Sequence, residues 1–182
     1  GFASGTFFAF LGGAPYVGDK VFGLSSSLIG MYFAITAIGY AGGNFLAGRY
    51  SVRVGMNRMM LLGNLVSTAG VALLLVLTLA GLSGAAVFFG LAVFMGLGNG
   101  IALPSANAGI LSVRPDLAGT ASGLGGAIMI GGGAVLAALA GALLPPGSTE
   151  LPLVVLMLAS SVASVLAVLW VIRRARVLGL PT

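Results

Sequence analysis

Six long apolar runs, parted by short polar or glycine- and proline-marked breaks, take up nearly the whole chain. The first extends from Phe2 to Val17 and stops at Gly18-Asp19-Lys20. The second covers about Leu28 to Leu46, with Ser25-Ser26-Ser27 before it as a cap. A basic stretch follows, then a third run from about Met59 to Leu79. Gly81-Leu82-Ser83-Gly84 turns the chain into a fourth, from about Ala85 to Leu111; a fifth spans about Ala118 to Leu144 and ends at Pro145-Pro146-Gly147. The sixth covers about Leu151 to Ile172. About 20 apolar residues make a helix long enough to cross about 30 Å of hydrocarbon. The pattern therefore predicts an all-α integral membrane protein of six transmembrane helices. No spacer is long enough for a soluble domain, so residues 1–182 read as one transmembrane unit.

Composition sharpens that reading. Charged residues make up only 6% of the chain and hydrophobic ones 59%, with a mean hydropathy of +1.16. A soluble domain carries about 25% charged residues, so lipid is the solvent for most of this surface. The three acids, Asp19, Asp116 and Glu150, all fall between apolar runs. Arg49, Arg53 and Arg58 follow the second run, Arg114 the fourth, and Arg173, Arg174 and Arg176 the sixth. Lys20 alone stands on the other side. By the positive-inside rule the arginine-bearing loops and both chain ends face the cytoplasm. Tyr50 and Trp170 fall near that boundary, as interfacial aromatics do. The basic residues form no stripe with interleaved aromatics, which argues against nucleic acid as a partner.

Several chemistries are excluded. The chain has no Cys and no His, which removes thiolate metal sites, cysteine nucleophiles and a histidine base. Gly81-Leu82-Ser83-Gly84 matches a short intramembrane serine-protease signature but has no base to activate the serine. Gly96-Leu97-Gly98-Asn99-Gly100 and Gly131-Gly132-Gly133 lie inside apolar helices, without the strand–loop–helix context of a phosphate cradle. No enzyme, cofactor or metal is expected. The 31 glycines instead suggest close helix packing, above all Gly39 with Gly43 and Gly119 with Gly123.

Polar and aromatic positions at membrane depth suggest a cavity. Tyr32, Thr36, Tyr40 and Asn44 recur at every fourth residue on one helix face. Asn99 and Asn107 share a side of the fourth run, with Pro104 between them as a kink. Phe7, Phe10 and Ala14 share a face able to stack a flat apolar ligand, and Pro15 bends the first helix. Uncharged amides at this depth pair with other helices or line wet cavities.

Gly43-Asn44-Phe45-Leu46-Ala47-Gly48-Arg49 with Arg53-Val54-Gly55-Met56-Asn57-Arg58 resembles the second-half copy of the signature loop of the major facilitator superfamily. Gly48 stands near the place of that loop's usual acid. The resemblance assigns Gly43, Gly48, Arg49, Arg53, Gly55 and Arg58 to a cytoplasmic gate. Phe2 to Phe10, Ala14 to Val17 and Phe22 to Ser25 are similar to the seventh span of Bcr/CflA-type drug-resistance transporters. Gly98-Asn99-Gly100 with Leu103-Pro104-Ser105-Ala106 is similar to the tenth, and Ala118 to Gly123 to the start of the eleventh.

This resemblance implies the C-terminal half of a twelve-span, proton-driven multidrug exporter of the inner membrane, built of two three-helix inverted repeats. Its partners would be membrane lipid, an N-terminal six-helix half and small apolar or weakly cationic molecules. The proton-coupling acid would lie outside this chain, whose membrane spans hold none. The first and fourth spans would line the cavity through Phe7, Phe10, Asn99 and Asn107, flanked by Tyr32, Thr36 and Tyr40. The chain opens with Gly1 inside an apolar segment, which suits a piece of a longer polypeptide. An uptake permease of the same superfamily and a non-transporting docking subunit are the competing expectations.

Overall fold

A computed structural model describes residues 2–113 and 118–177. Its helices are α1 (Phe2–Tyr16), α2 (Ser26–Val54), α3 (Met56–Leu79), α4 (Ala85–Val113), α5 (Ala118–Ala142) and α6 (Leu151–Val177). A π-helical turn, Val17–Val21, continues α1. Arg114 and Asp116 lie outside the described residues. Five helices, α2 to α6, are long and apolar enough to cross a membrane; α1 has 15 residues.

Three helices run on past the ends the hydropathy predicts, α6 among them, which continues through its arginines to Val177. The basic stretch after the second run is helical: α2 continues to Val54, and only Gly55 separates it from α3. Hydropathy marks where hydrocarbon ends, whereas a helix ends where its backbone is interrupted. Nothing between Leu46 and Val54 interrupts it, and arginine is a good helix former. Gly55 makes the turn at φ 93°, a region open to glycine. The first helix likewise runs on through Asp19 and Lys20 as a π turn, directly after Pro15. Wide turns of this kind absorb a local break in the helical bonding. Ser25 caps α2 as expected, accepting the Leu28 N–H at 3.4 Å.

The helices assemble around α4, which packs on α2 along one side and on α3 along another. On the far side of the unit, α1 packs on α5 and α6, and α3 also meets α6. Lipid gives helices no hydrophobic reason to associate, so close backbone contact and hydrogen bonds must hold them. Glycine supplies the first. A β-carbon on Gly43 would meet the Leu97 carbonyl oxygen at 2.2 Å, and one on Gly100 the Tyr40 oxygen at 2.2 Å. Gly39 and Gly96 make the same α2–α4 contact one turn away, while Gly63 and Gly98 face each other across α3 and α4. Hydrogen bonds supply the second. Thr6 Oγ1 donates to the Met157 carbonyl across α1 and α6 at 3.4 Å, and Ser164 donates to Asn64 Oδ1 across α6 and α3.

The glycines of α5 behave otherwise. Gly119, Gly123, Gly126, Gly131, Gly132 and Gly141 have open space where a β-carbon would stand, whereas Gly133 meets Phe8. Among the described residues, nothing packs on Gly119 and Gly123 as the spacing predicts.

Charge is segregated along the bundle axis. The first turn of α3 and the last turns of α6 share one end, so Arg58, Arg173 and Arg176 stand together there, with Arg49 and Arg53 on the last turns of α2. The opposite end is tied by Tyr16 Oη, which donates to the Pro145 carbonyl at 2.9 Å. It carries Glu150, and Lys20 with Asp19 paired at 2.9 Å. That hydrogen bond, and then the carboxylate's charge, raises the Lys20 pKa. Glu150 is buried despite its place in a connecting segment. It precedes α6, where a negative charge meets the positive end of the helix dipole.

A Gly43→Ala substitution is expected to destabilise the bundle by about 1–3 kcal/mol, the usual cost of overpacking. Gly48→Ala, where no neighbour lies within 4 Å, should be tolerated. Thermal unfolding of the two variants in one detergent checks the contrast; equal losses would mean α2 and α4 are not in backbone contact.

Candidate functional site

The four-residue spacing on α2 puts Tyr32, Thr36 and Tyr40 on the face turned to α4 and α1, and the structure splits them between two environments. Near the Lys20 end, Tyr32 stacks on Phe89 of α4 at 4.8 Å. Phe89 packs edge-on to Phe88 at 5.0 Å, and Phe10 of α1 joins both at 6.1 Å. Phe33 closes the group, 5.1 Å from Phe10. Phe10, Phe88 and Phe89 have no exposed surface. This is packed aromatic core, and a ligand would reach Phe10 only if the cluster opened. Nearer the middle of the bundle, Phe7 of α1 and Tyr40 of α2 stack at 6.5 Å, with Phe7 half-buried and Tyr40 exposed. Exposure here means surface that protein leaves uncovered, whatever the solvent.

Thr36 lies between these environments, buried where its carbonyl and methyl meet Gly96. Its hydroxyl donates back to the Tyr32 carbonyl at 3.3 Å, and Asn44 donates to the Tyr40 carbonyl at 2.9 Å. Both side chains therefore spend a donor on their own helix.

Asn99 is different. It is 3% exposed on the central helix, and its amide nitrogen has no hydrogen-bond partner. An unpaired buried donor costs about 1–3 kcal/mol, so the amide stands out in a bundle whose other buried asparagine, Asn64, is bonded on both sides. Asn107, two turns on, is exposed. No ring contact or hydrogen bond joins Asn99 or Asn107 to the aromatic group among the described residues. Pro104 lies between them inside α4, where it cannot donate to the Gly100 carbonyl. Ser105 nearby donates to the Ile101 carbonyl at 3.1 Å.

The residues assigned to the gate occupy helix, hinge and helix start. Gly43 is packed against Leu97 and Gly100; Gly48, Arg49 and Arg53 are exposed on the last turns of α2; Gly55 is the hinge and Arg58 opens α3. Pro15 sits in the last turn of α1. Sequence reasoning passed over Phe33, Phe88 and Phe89. Their apolar identity carried no signal beyond membrane solubility, and only the register of α1 against α4 brings them to Phe10.

This set of rings and amides presents aromatic surface and hydrogen-bonding groups. It holds no acid, base or nucleophile pair, and among the described residues no three His, Asp or Glu side chains are placed to hold a metal.

A family model, the Major Facilitator Superfamily, matches residues 1–182. No curated protein and no solved structure matches the chain.

In this cysteine-free chain, Tyr40→Cys is expected to react with a water-soluble thiol reagent in membrane vesicles, while Thr36→Cys stays protected. Protection of both would place the Phe7–Tyr40 stack in lipid or in a dry interface.

Proposed function

The chain belongs to the major facilitator superfamily and is a membrane transporter; on that premise we propose that it forms one six-helix half of a proton-driven exporter of the Bcr/CflA drug-resistance type. Its cargo is small, largely apolar and neutral or weakly cationic. Transport proceeds by rocking of this half against a second, with the arginine-bearing end in the cytoplasm and the protein in the inner membrane.

One observation carries the reading: the burial of the helices is lopsided. The membrane-length stretch of α4 is 56% buried, but that of α5 is 11% and that of α2 is 17%. The bare face of α5 is small and partly polar, with Gly119, Thr120, Ser122, Gly123 and Gly131 uncovered. Small residues suit a helix neighbour, and lipid gains nothing from them. A second bundle seated on α2 and α5 would cover both and enclose the Phe7–Tyr40 stack and Asn99. The internal packing suits paired inverted repeats: α1 packs on α5 and α6 as α4 packs on α2 and α3, the pattern a twofold exchange of the two triplets produces.

Each residue then has a role. Tyr40 and Phe7 offer a flat aromatic surface. Asn99 holds an unpaired N–H donor inside the unit, which cargo would meet only once the helices around α4 part, and Asn107 stands nearer the cytoplasmic mouth. Arg49 and Arg53, on the last turns of α2, would meet carbonyl-bearing helix ends of a second half, whereas Arg58 lies on the α3–α6 side of the unit. Phe10, Tyr32 and Thr36 support this surface from behind. The acid that couples the proton is supplied by the other half.

In cells stripped of their own efflux, the chain expressed with its second half should lower accumulation of a lipophilic cationic dye, and a proton uncoupler should abolish the effect. Raised accumulation would make it an uptake permease; no change would leave a docking subunit. Asn99→Leu should shift the spectrum of exported compounds without lowering thermal stability, because it removes an unsatisfied donor. An unchanged spectrum with lowered stability would make Asn99 a packing residue. Arg49→Ala with Arg53→Ala should reduce export while leaving membrane insertion intact, as read by transport and by immunoblot of the membrane fraction.

A further inference from the structure

Between the start of α3 and the end of α6 the structure holds a cavity of about 430 Å³, within the usual range of ligand pockets, about 300–1,000 Å³. It lies at the arginine end, on the side of the bundle away from the bare faces of α2 and α5. Its lining divides in two. Arg58, Arg173 and Arg176, with Asn57, form the polar part; Leu61, Leu169, Ile172 and Val177 form the apolar part. Arg58, Arg173 and Arg176 bring three positive charges to one opening, which makes it attractive to an anion. The described residues supply none, since Asp19 and Glu150 stand at the opposite end of the bundle. Arg174, the neighbouring cation on α6, is turned instead over the Trp170 ring at 5.8 Å.

We propose that this cavity binds the headgroup of an anionic phospholipid. The phosphodiester sits among Arg58, Arg173 and Arg176, and an acyl chain lies along Leu61, Leu169 and Ile172. Guanidinium matches a phosphate group with paired N–H donors, and basic pockets between transmembrane helices at a membrane face suit such headgroups. The apolar part of the lining decides between sources of phosphate. A free phosphate ion would use only the arginines, whereas a lipid fills both halves of the cavity. Trp170 follows Leu169 directly and marks the membrane boundary, where headgroups lie. This site is independent of the transport reading, because it needs neither Asn99 nor a second half.

Trp170 is the only tryptophan of the chain, which makes it the reporter. The chain is reconstituted in phosphatidylcholine vesicles containing a minor fraction of bromine-labelled lipid, and Trp170 quenching is compared for labelled phosphatidylglycerol and labelled phosphatidylcholine. Phosphatidylglycerol should quench preferentially. Each of Arg58→Gln, Arg173→Gln and Arg176→Gln should lower that preference by up to about fivefold, and the triple variant should show none. Arg49→Gln with Arg53→Gln, at the same end but outside the cavity, should leave it unchanged. Equal quenching of the unaltered chain by the two lipids overturns the proposal without any variant. So does an equal loss of preference in the Arg49/Arg53 variant, which would reduce the effect to general surface attraction. Abolition of the preference by inorganic phosphate at matched ionic strength would assign the cavity to the free ion.

Discussion

Bare backbone along α4 is the constraint on which the rest of this bundle depends. Gly96, Gly98 and Gly100 come within a β-carbon's radius of backbone atoms in α2 and α3. No side chain fits in those contacts, so glycine at these positions sets how closely α2 and α3 approach α4. That approach in turn decides which aromatic rings meet at Phe89 and which side of α4 turns Asn99 inward. In water, burial of apolar area would do this holding. In lipid it has no such force, and close contact with buried hydrogen bonds takes over.

Much of this was legible in the residues, and the reason is physical. The positions of the long apolar helices follow from hydropathy and the thickness of hydrocarbon, which are one-dimensional quantities. The segregation of arginines to one end follows from the same count of crossings. Gly39 and Gly43 were readable as a contact because four-residue spacing of small residues has few other uses in such a helix. The same spacing at Gly119 and Gly123 meets open space, so spacing shows that a face is suited to a neighbour without showing that one is present. The continuation of α2 to Val54 was hidden because hydropathy ends before the helix does. The burial of Glu150 was hidden because a short segment between two runs reads as exposed whatever lies over it.

The candidate site divides along the same line. Periodicity grouped Tyr32, Thr36 and Tyr40 on one face, and the three share that face in the helix. It cannot distinguish a ring packed in a cluster from a ring on a bare surface, and Phe10 and Tyr40 end on opposite sides of that distinction. Asn99 is marked by the one property no pattern contains: the lack of a partner for a buried donor. Of the three arginines of the α3–α6 cavity, Arg173 and Arg176 were visible only as markers of a span end and Arg58 only as part of the signature loop, and they meet because α6 returns beside the first turn of α3.

The single residue between α2 and α3 has a kinematic consequence. A chain segment bends only at its two soft dihedrals per residue, so Gly55 gives the joint between two membrane-length helices just two internal degrees of freedom. α2 is about 43 Å long by its 29 residues, and any tilt of that rod must be taken up at the corner or passed on to α3. α3 is clasped to α4 by Gly63 and Gly98 and to α6 by Asn64 and Ser164. A linkage so short and so well anchored couples the tilt of α2 to that of α3, so a change at one end of the corner is felt at the other.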